Sequence, residues 1–195
     1  MKRICVKNLI LKYLRNRVDN MNLEVLFSGF GGQGILFISK MLSYAALESG
    51  LNVTWFPSYG PEMRGGTASC SVVMSDRKIL SPIVLRPKYM VAMNYPSFNK
   101  YESKVLDSGF MLINSDIVKS YNRRSSVNYL DIPIQSMAKS ISEKVFGNIV
   151  MLGSLIKVMN KISMDSIFDV FTSYTNAKFS IEDNKRALKI GYDFV

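Results

Sequence analysis

A chain of 195 residues with 48% hydrophobic and 21% charged residues has the composition of a globular protein and a length typical of one domain. It contains no histidine and two cysteines, which excludes a four-thiolate iron–sulfur cluster, a typical zinc site and the commonest general base. The net charge of +10 comes without a basic face interleaved with aromatic residues, so we expect no nucleic-acid binding, and no apolar run reaches the roughly 18 residues that span a bilayer.

Basic residues are concentrated in the first twenty positions, where six basic side chains accompany one acidic side chain. Apolar side chains recur there at four-residue spacing, which is typical of an amphipathic helix: Val6, Ile10, Leu14 and Val18. Two interpretations stay open, namely a helix that binds a membrane surface or a partner, and a poorly ordered extension. We expect residues 1–20 to form this basic extension and residues 21–195 to form a single domain.

The first part of that domain has the pattern of a strand, a glycine turn, a helix and a second strand. Leu23–Ser28 is a short apolar run typical of a buried strand, and the sequence GFGGQG follows it. The pattern then predicts a helix over Ile35–Glu48 that ends at Gly50, and a strand over Asn52–Phe56. We expect these elements to form a right-handed βαβ unit at the start of a parallel sheet.

The rest of the chain predicts an insertion followed by further alternation of strands and helices. Thr67–Asp76 and Lys78–Ile83 are typical of an antiparallel hairpin with a turn at Ser75–Arg77. Alternation then resumes with a helix that reaches Val105 and three strands, and about four helices follow from Ile134 onward; the strands are Tyr89–Asn94, Phe110–Ser115 and Val127–Pro133. The predicted fold class is α/β: a Rossmann-like, mostly parallel sheet with an antiparallel hairpin insertion and a helical C-terminal part.

The glycine turn is a candidate ligand site because G-x-G-x-x-G turns between strand and helix bring backbone amides close to a phosphate or carboxylate. Its candidate binding residues are Gly29, Gly31, Gly32, Gln33 and Gly34. The second predicted strand, however, ends in Trp55-Phe56-Pro57 and lacks the acid that holds a ribose, so an ordinary NAD or FAD site is not expected. Two interpretations of the turn stay open. Either it forms an anion-binding or interface surface, or its glycines only allow a tight connection between strand and helix.

A second candidate site is the loop SYGPEMRGG. Three glycines, a proline and two opposite charges make it a poor helix or strand and favour a shaped loop. Its candidate binding residues are Ser58, Tyr59, Gly60, Glu62, Arg64, Gly65 and Gly66. We predict no catalytic residue and no metal ligand in this chain.

The two stretches together resemble the gamma subunit of the 2-oxoacid:ferredoxin oxidoreductases, the family that contains the 2-oxoglutarate and pyruvate enzymes. The resemblance runs from about Leu23 to Val195 and includes KVFGNIVMLGSLIKV and NKRALKIGYDFV near the C-terminus. It implies a reaction in which a 2-oxoacid, coenzyme A and oxidised ferredoxin give acyl-coenzyme A, carbon dioxide and reduced ferredoxin.

The resemblance also implies that other chains hold the cofactors. Alpha and beta subunits, with or without a delta subunit, would carry thiamine diphosphate, magnesium and iron–sulfur clusters, and ferredoxin would be reached through the complex. This chain would then be inactive alone and would act in the cytoplasm, with coenzyme A as a substrate of the complex. Isolated copies would be able to pair as a homodimer through surfaces that the partner subunits cover.

The resemblance implies that the loop SYGPEMRGG binds a ligand or a partner subunit, and one alternative stays open. Arg64 would pair with a phosphate or carboxylate, such as one on coenzyme A, and Glu62 would hold Arg64 or contact a partner subunit. Alternatively, Glu62 and Arg64 form an intrachain pair that braces the loop. The alternative function for the whole chain is a stand-alone nucleotide- or coenzyme A-binding regulatory module on a Rossmann-like fold.

Overall fold

A six-stranded sheet lies at the centre of the computed structural model, which describes residues 21–59, 67–141, 147–174 and 181–195. The strands are β1 (Asn22–Phe30), β2 (Asn52–Tyr59), β3 (Thr67–Ser75), β4 (Tyr89–Ala92), β5 (Phe110–Asn114) and β6 (Asn128–Ile132). Their order across the sheet is β2-β3-β1-β4-β5-β6. The predicted basic extension at residues 1–20 lies outside the described residues.

Helices cover both faces of this sheet. In the described ranges they are α1 (Ile35–Glu48), α2 (Tyr95–Tyr101), α3 (Ile134–Lys139), α4 (Gly147–Met159), α5 (Met164–Tyr174) and α6 (Ile181–Phe194), and a short 3-10 turn at Glu102–Lys104 extends α2. The predicted bounds of α1 are confirmed, and so is its end at Gly50, whose φ is +82°. The expectation of about four helices after Ile134 is also confirmed.

The strand directions confirm a mostly parallel α/β sheet with an antiparallel insertion. Strands β4, β5 and β6 run parallel to β1. Strand β3 runs antiparallel to both of its neighbours, β1 and β2. The antiparallel hairpin is therefore β2–β3, and residues 60–66 connect its two strands.

The predicted βαβ unit is wrong in one respect, because β3 lies between β1 and β2. Strands β1 and β2 do point the same way, but they are not hydrogen-bonded neighbours. The burial of the strands gives the physical reason. Strand β3 is buried along nearly its whole length, which suits a position between two other strands, whereas β2 is largely exposed and suits an edge.

The predicted hairpin partner of β3 is also wrong, because Lys78–Ile83 forms no strand. Both sides of β3 are already paired, and Pro82 has no N–H to donate to a ladder. The segment instead passes over one face of the sheet, where the backbone N–H of Val84 donates to Ser71 Oγ at 3.3 Å.

Alternate side chains of β1 enter two separate cores. Val25 and Phe27 lie in the larger core, which α1, α3, α4, α5 and α6 cover, while Leu26 lies in the smaller core beneath α2. The central strand is thus held from both faces, which fixes the position of the turn that follows it. None of the helices in the described ranges has both the length and the apolar character needed to cross a bilayer.

Candidate functional site

The glycine turn follows the central strand and leads directly into α1. Gly32 and Gly34 have φ values of +90° and +72°, and the backbone N–H of Gln33 donates to Phe30 O at 3.2 Å. Helix α1 then begins without a side-chain cap and without an acidic residue in its first turn. The amide groups at this helix end therefore remain suited to a ligand or partner that brings an acceptor.

The side chain of Gln33 fastens the turn to the end of β4. Its Oε1 accepts hydrogen bonds from Phe30 N at 2.7 Å and from Asn94 Nδ2 at 3.0 Å. Its Nε2 donates to Met93 O at 3.1 Å. Both ends of this predicted binding side chain are thus engaged within the chain, so its observed contribution is to the shape of the turn.

The predicted loop starts and ends at the same edge of the sheet as the glycine turn. Thr67 lies opposite Phe30 in the β1–β3 ladder, and Ala68 lies between Gly29 and Tyr59. Ser58 and Tyr59 are exposed at the end of β2. The remaining predicted loop residues lie outside the described residues: Gly60, Glu62, Arg64, Gly65 and Gly66.

Asn148, which we did not single out in the sequence, contacts the glycine turn from the start of α4. Its Nδ2 donates to Gly34 O at 3.2 Å, and its Oδ1 is buried without a hydrogen-bond partner. A cavity of about 210 Å³ adjoins it, lined by Gly32, Gln33 and Gly34 of the turn, Phe37 of α1, and Asn148 and Ile149 of α4. Asn148 follows Gly34 by 114 positions, so local sequence patterns do not predict that the two residues meet. The one sequence signal is that Asn148 lies in the stretch KVFGNIVMLGSLIKV, which resembles the family.

A second polar group lies near the carboxyl ends of β5 and β6. Tyr121 and Arg123 both donate to the carboxylate of Asp131, and a cavity of about 270 Å³ adjoins these residues. Burial, with the hydrogen bond and negative charge of Asp131, raises the pKa of Tyr121 far above its ordinary value. The phenol therefore stays protonated at neutral pH and does not serve as a general base.

The described thiol is equally unreactive. Cys70 is fully buried in β3, and burial raises its pKa to about 11. Within the described ranges no three His, Cys, Asp or Glu side chains come together as a possible metal site. With two cysteines and no histidine in the whole sequence, the residues of this chain do not fit a four-thiolate iron–sulfur cluster.

Two curated relatives align along most of this chain. Ketoisovalerate oxidoreductase subunit VorA of Methanothermobacter marburgensis is 32% identical over 173 residues, which cover 88% of this chain and 36% of VorA. The 2-oxoglutarate synthase subunit KorC of Methanocaldococcus jannaschii is 32% identical over 183 residues, which cover 92% of this chain and 97% of KorC. The chain thus spans about a third of the length of VorA and nearly all of KorC.

Solved structures share the fold. The gamma subunit of a keto/oxoacid ferredoxin oxidoreductase from Geobacter sulfurreducens PCA is 25% identical with a TM-score of 0.74, over 88% of this chain and 96% of that one. A 2-oxoglutarate:ferredoxin oxidoreductase from Magnetococcus marinus is 21% identical with a TM-score of 0.80, over 91% of this chain and 32% of that one. The pyruvate ferredoxin/flavodoxin oxidoreductase family model matches residues 24–194. The resemblance inferred from the two glycine-rich stretches is therefore confirmed, and the chain belongs to the pyruvate ferredoxin/flavodoxin oxidoreductase family.

Proposed function

We propose that this chain is the gamma-type subunit of a multi-subunit 2-oxoacid:ferredoxin oxidoreductase in the cytoplasm. The complex converts a 2-oxoacid, coenzyme A and two oxidised ferredoxins into acyl-coenzyme A, carbon dioxide, two reduced ferredoxins and a proton. Alpha and beta subunits, with or without a delta subunit, hold thiamine diphosphate, magnesium and the iron–sulfur clusters. Residues 21–195 act as one domain that supports their active site.

The proposal depends on one structural observation in this family member. The glycine turn and both ends of the SYGPEMRGG loop lie close together at one edge of the sheet. The pairing of Phe30 with Thr67 sets this arrangement. KorC, a named subunit of a 2-oxoglutarate synthase, is a relative of nearly the same extent, which supports a subunit role for this chain. The edge is the surface that we assign to the shared active site.

The loop supplies the contact with coenzyme A in this proposal. The Magnetococcus marinus structure contains bound coenzyme A and succinyl-coenzyme A, which supports coenzyme A as the acyl acceptor. Arg64 pairs with a phosphate of coenzyme A, and Glu62 orients Arg64. The loop is short and joins two ladder-paired ends, so a ligand that reaches it also lies near the glycine turn.

Co-expression of this chain with the thiamine-dependent and iron–sulfur subunits of a 2-oxoacid:ferredoxin oxidoreductase from the same organism tests the proposal. We expect an assembled, iron-containing complex that reduces ferredoxin when given a 2-oxoacid and coenzyme A. In that complex, Arg64→Ala raises the KM for coenzyme A by about tenfold, the loss expected for one charge-assisted pair, with little change in the KM for the oxoacid.

Arg77→Ala is the matched control, because Arg77 is exposed beyond Ser75, which pairs with Asn22 at the opposite edge of the sheet. Purification of this chain without partners, together with tight nucleotide binding on its own, would favour the stand-alone regulatory module instead. An unchanged KM for coenzyme A in the assembled Arg64→Ala complex would refute the role of the loop and leave the Glu62–Arg64 brace as its explanation.

A further inference from the structure

The connection between β3 and β4 exposes large apolar side chains to solvent. This connecting segment, residues 77–88, is fastened to the sheet at Val84, which is buried in the smaller core and whose backbone N–H donates to Ser71 Oγ at 3.3 Å. Three other apolar side chains of the segment are exposed to between 54% and 92%: Leu80, Ile83 and Leu85. A single exposed leucine is ordinary on a protein surface, but three large apolar side chains within six residues are a feature of docking surfaces.

Phe56 of the edge strand β2 extends this apolar surface. It lies opposite Ser71 in the β2–β3 ladder, so its half-exposed side chain is on the face of the sheet that the connecting segment crosses. On the other face α1 covers these strands, and there Trp55 Nε1 donates to Ser39 Oγ at 2.9 Å. Four exposed side chains thus form an apolar patch on the side of the sheet away from α1: Phe56, Leu80, Ile83 and Leu85.

Cations flank the connecting segment at both ends. Its sequence is RKILSPIVLRPK, in which basic residues precede and follow the apolar residues and acidic residues are absent. All four cations are exposed: Arg77, Lys78, Arg86 and Lys88. An apolar centre between cations is complementary to a surface that presents negative charge above an apolar interior.

The basic extension reaches the domain at the start of this segment. The carbonyl oxygen of Met21 accepts a hydrogen bond from Asp76 N at 3.2 Å, and Arg77 follows directly. Like charges make it unfavourable for the extension to cover the segment, whereas one anionic surface attracts both. A bilayer that contains anionic lipids offers such a surface over a wide area, while a protein partner would need two acidic, apolar faces in matching positions.

We propose that the connecting segment docks on the surface of a bilayer that contains anionic lipids. Leu80, Ile83 and Leu85 enter the boundary between head groups and acyl chains, and the cations at both ends of the segment bind lipid phosphates. Residues 1–20 strengthen this contact through their own cations. The inference goes beyond the proposed function, because neither the reaction nor the partner subunits require a membrane.

Co-sedimentation of the full chain with lipid vesicles tests the apolar part of the contact. We expect binding to vesicles of phosphatidylcholine mixed with phosphatidylglycerol, and at least about tenfold weaker binding to phosphatidylcholine alone. Leu80→Ser and Leu85→Ser each weaken binding to the mixed vesicles by about tenfold, because the variant no longer buries a leucine side chain in the bilayer. Leu47→Ser, at an exposed leucine near the end of α1, is the control and changes binding by less than about twofold. Equal binding to the two kinds of vesicle overturns the inference, and so does undiminished binding in both serine variants of the segment.

Two double variants of equal net charge test the cationic part of the contact. Lys78→Gln combined with Arg86→Gln removes one cation from each end of the segment and weakens vesicle binding by about 25-fold at low ionic strength, since each cation near an anionic surface contributes about fivefold. Lys161→Gln combined with Arg186→Gln removes two exposed cations among the helices of the other face, and it changes binding by less than about threefold. Equal losses in the two double variants would mean that net charge alone drives binding, which overturns the docking of this segment.

Two further outcomes would give the surface another role. Vesicle binding that survives Leu80→Ser and is abolished by deletion of residues 1–20 would place the membrane contact in the extension alone and overturn the inference. The same sedimentation is carried out with the complex assembled from this chain and its partner subunits. A complex that ignores the mixed vesicles and fails to assemble with Leu80→Ser would identify the apolar patch as a protein interface and overturn the inference as well. The thermal midpoint of each variant confirms that it is folded, and none of these measurements depends on turnover by the complex.

Discussion

Gly34 links two distant parts of the chain at a single backbone position. Its φ of +72° lies in the left-handed region, and a Cβ built on it would lie 2.1 Å from Asn148 Nδ2. The same residue also accepts the hydrogen bond from that amide. Glycine is therefore required here both for the conformation of the turn and for the close approach of α4.

A pair of glycine substitutions separates these two requirements. Gly50→Ala meets open space at a φ of +82°, so it costs only the left-handed backbone strain of about 1–2 kcal/mol. Gly34→Ala costs that strain and a further amount of about 1–3 kcal/mol, because Asn148 must move. Urea denaturation of the two variants measures the difference. Equal losses of stability would mean that Asn148 moves freely and does not hold the turn.

At the scale of elements, the N-terminus of α3 is capped by a residue from another part of the sheet. The residue before α3 is Pro133, which provides no side-chain cap. Asp116, which follows β5, instead accepts hydrogen bonds from Gln135 N at 2.7 Å, Ser136 N at 3.1 Å and Ser136 Oγ at 2.6 Å. The carboxylate thereby ties α3 to the end of β5.

This cap makes the stability of the protein depend on pH in a defined direction. Burial raises the pKa of Asp116, but the hydrogen bonds from Ser136 and Gln135 and the charge of Lys119 outweigh that effect and hold the pKa below its ordinary value. The stabilisation is therefore fully present above the ordinary carboxyl pKa of about 3.9 and is lost as the pH falls through the lower, folded-state pKa.

Asp116→Asn measures that contribution. At pH 7 we expect the variant to lose about 1 kcal/mol of unfolding free energy, because hydrogen bonds to a charged carboxylate contribute more than those to a neutral carboxamide oxygen. We expect the difference from the wild type to shrink as the pH is lowered below about 4. Urea denaturation across this pH range provides the measurement. Asp169→Asn, on the exposed side of α5, serves as the control with a change within about 0.5 kcal/mol. A difference that stays constant down to acid pH would contradict the charged cap.

The helices were predictable because their signals are local, whereas the strand neighbours were not. The apolar residues of α1 and the glycine that ends it all lie within sixteen residues. These residues are enough to predict where the helix begins and ends. The insertion of β3 beside β1 depends on which strand can be buried from both faces, which is a property of the assembled sheet. Likewise, the hydrogen-bond partners of Gln33 at Met93 and Asn94 are 60 and 61 residues away in the sequence. The sequence therefore predicted the glycine turn but not the hydrogen bonds that fix its position.

At the scale of the whole molecule, the two ends of the strands carry different parts of the chain. The carboxyl end of β1 bears the glycine turn, the ends of the SYGPEMRGG loop and Asn148. The opposite edge receives the chain from the first twenty residues, where the carbonyl oxygen of Met21 accepts a hydrogen bond from Asp76 N. The core of the described residues starts at Leu23, and the family match starts at residue 24.

Removal of residues 1–20 should therefore leave the stability of the domain nearly unchanged while it alters the charge. The deletion takes away six basic and one acidic side chain, which halves the net charge from +10 to +5. We expect the unfolding free energy to change by less than about 1 kcal/mol, because every core residue in the described part of the chain is kept. We also expect retention on heparin to fall, because fewer cations bind the polyanion. The control is a full-length variant in which five of the six basic residues among positions 1–20 are replaced by glutamine. It has the same net charge as the deletion but the full chain length, so it separates the effect of charge from the effect of length. A loss of more than about 2 kcal/mol in the deletion alone would mean that the extension packs against the domain and belongs to its fold.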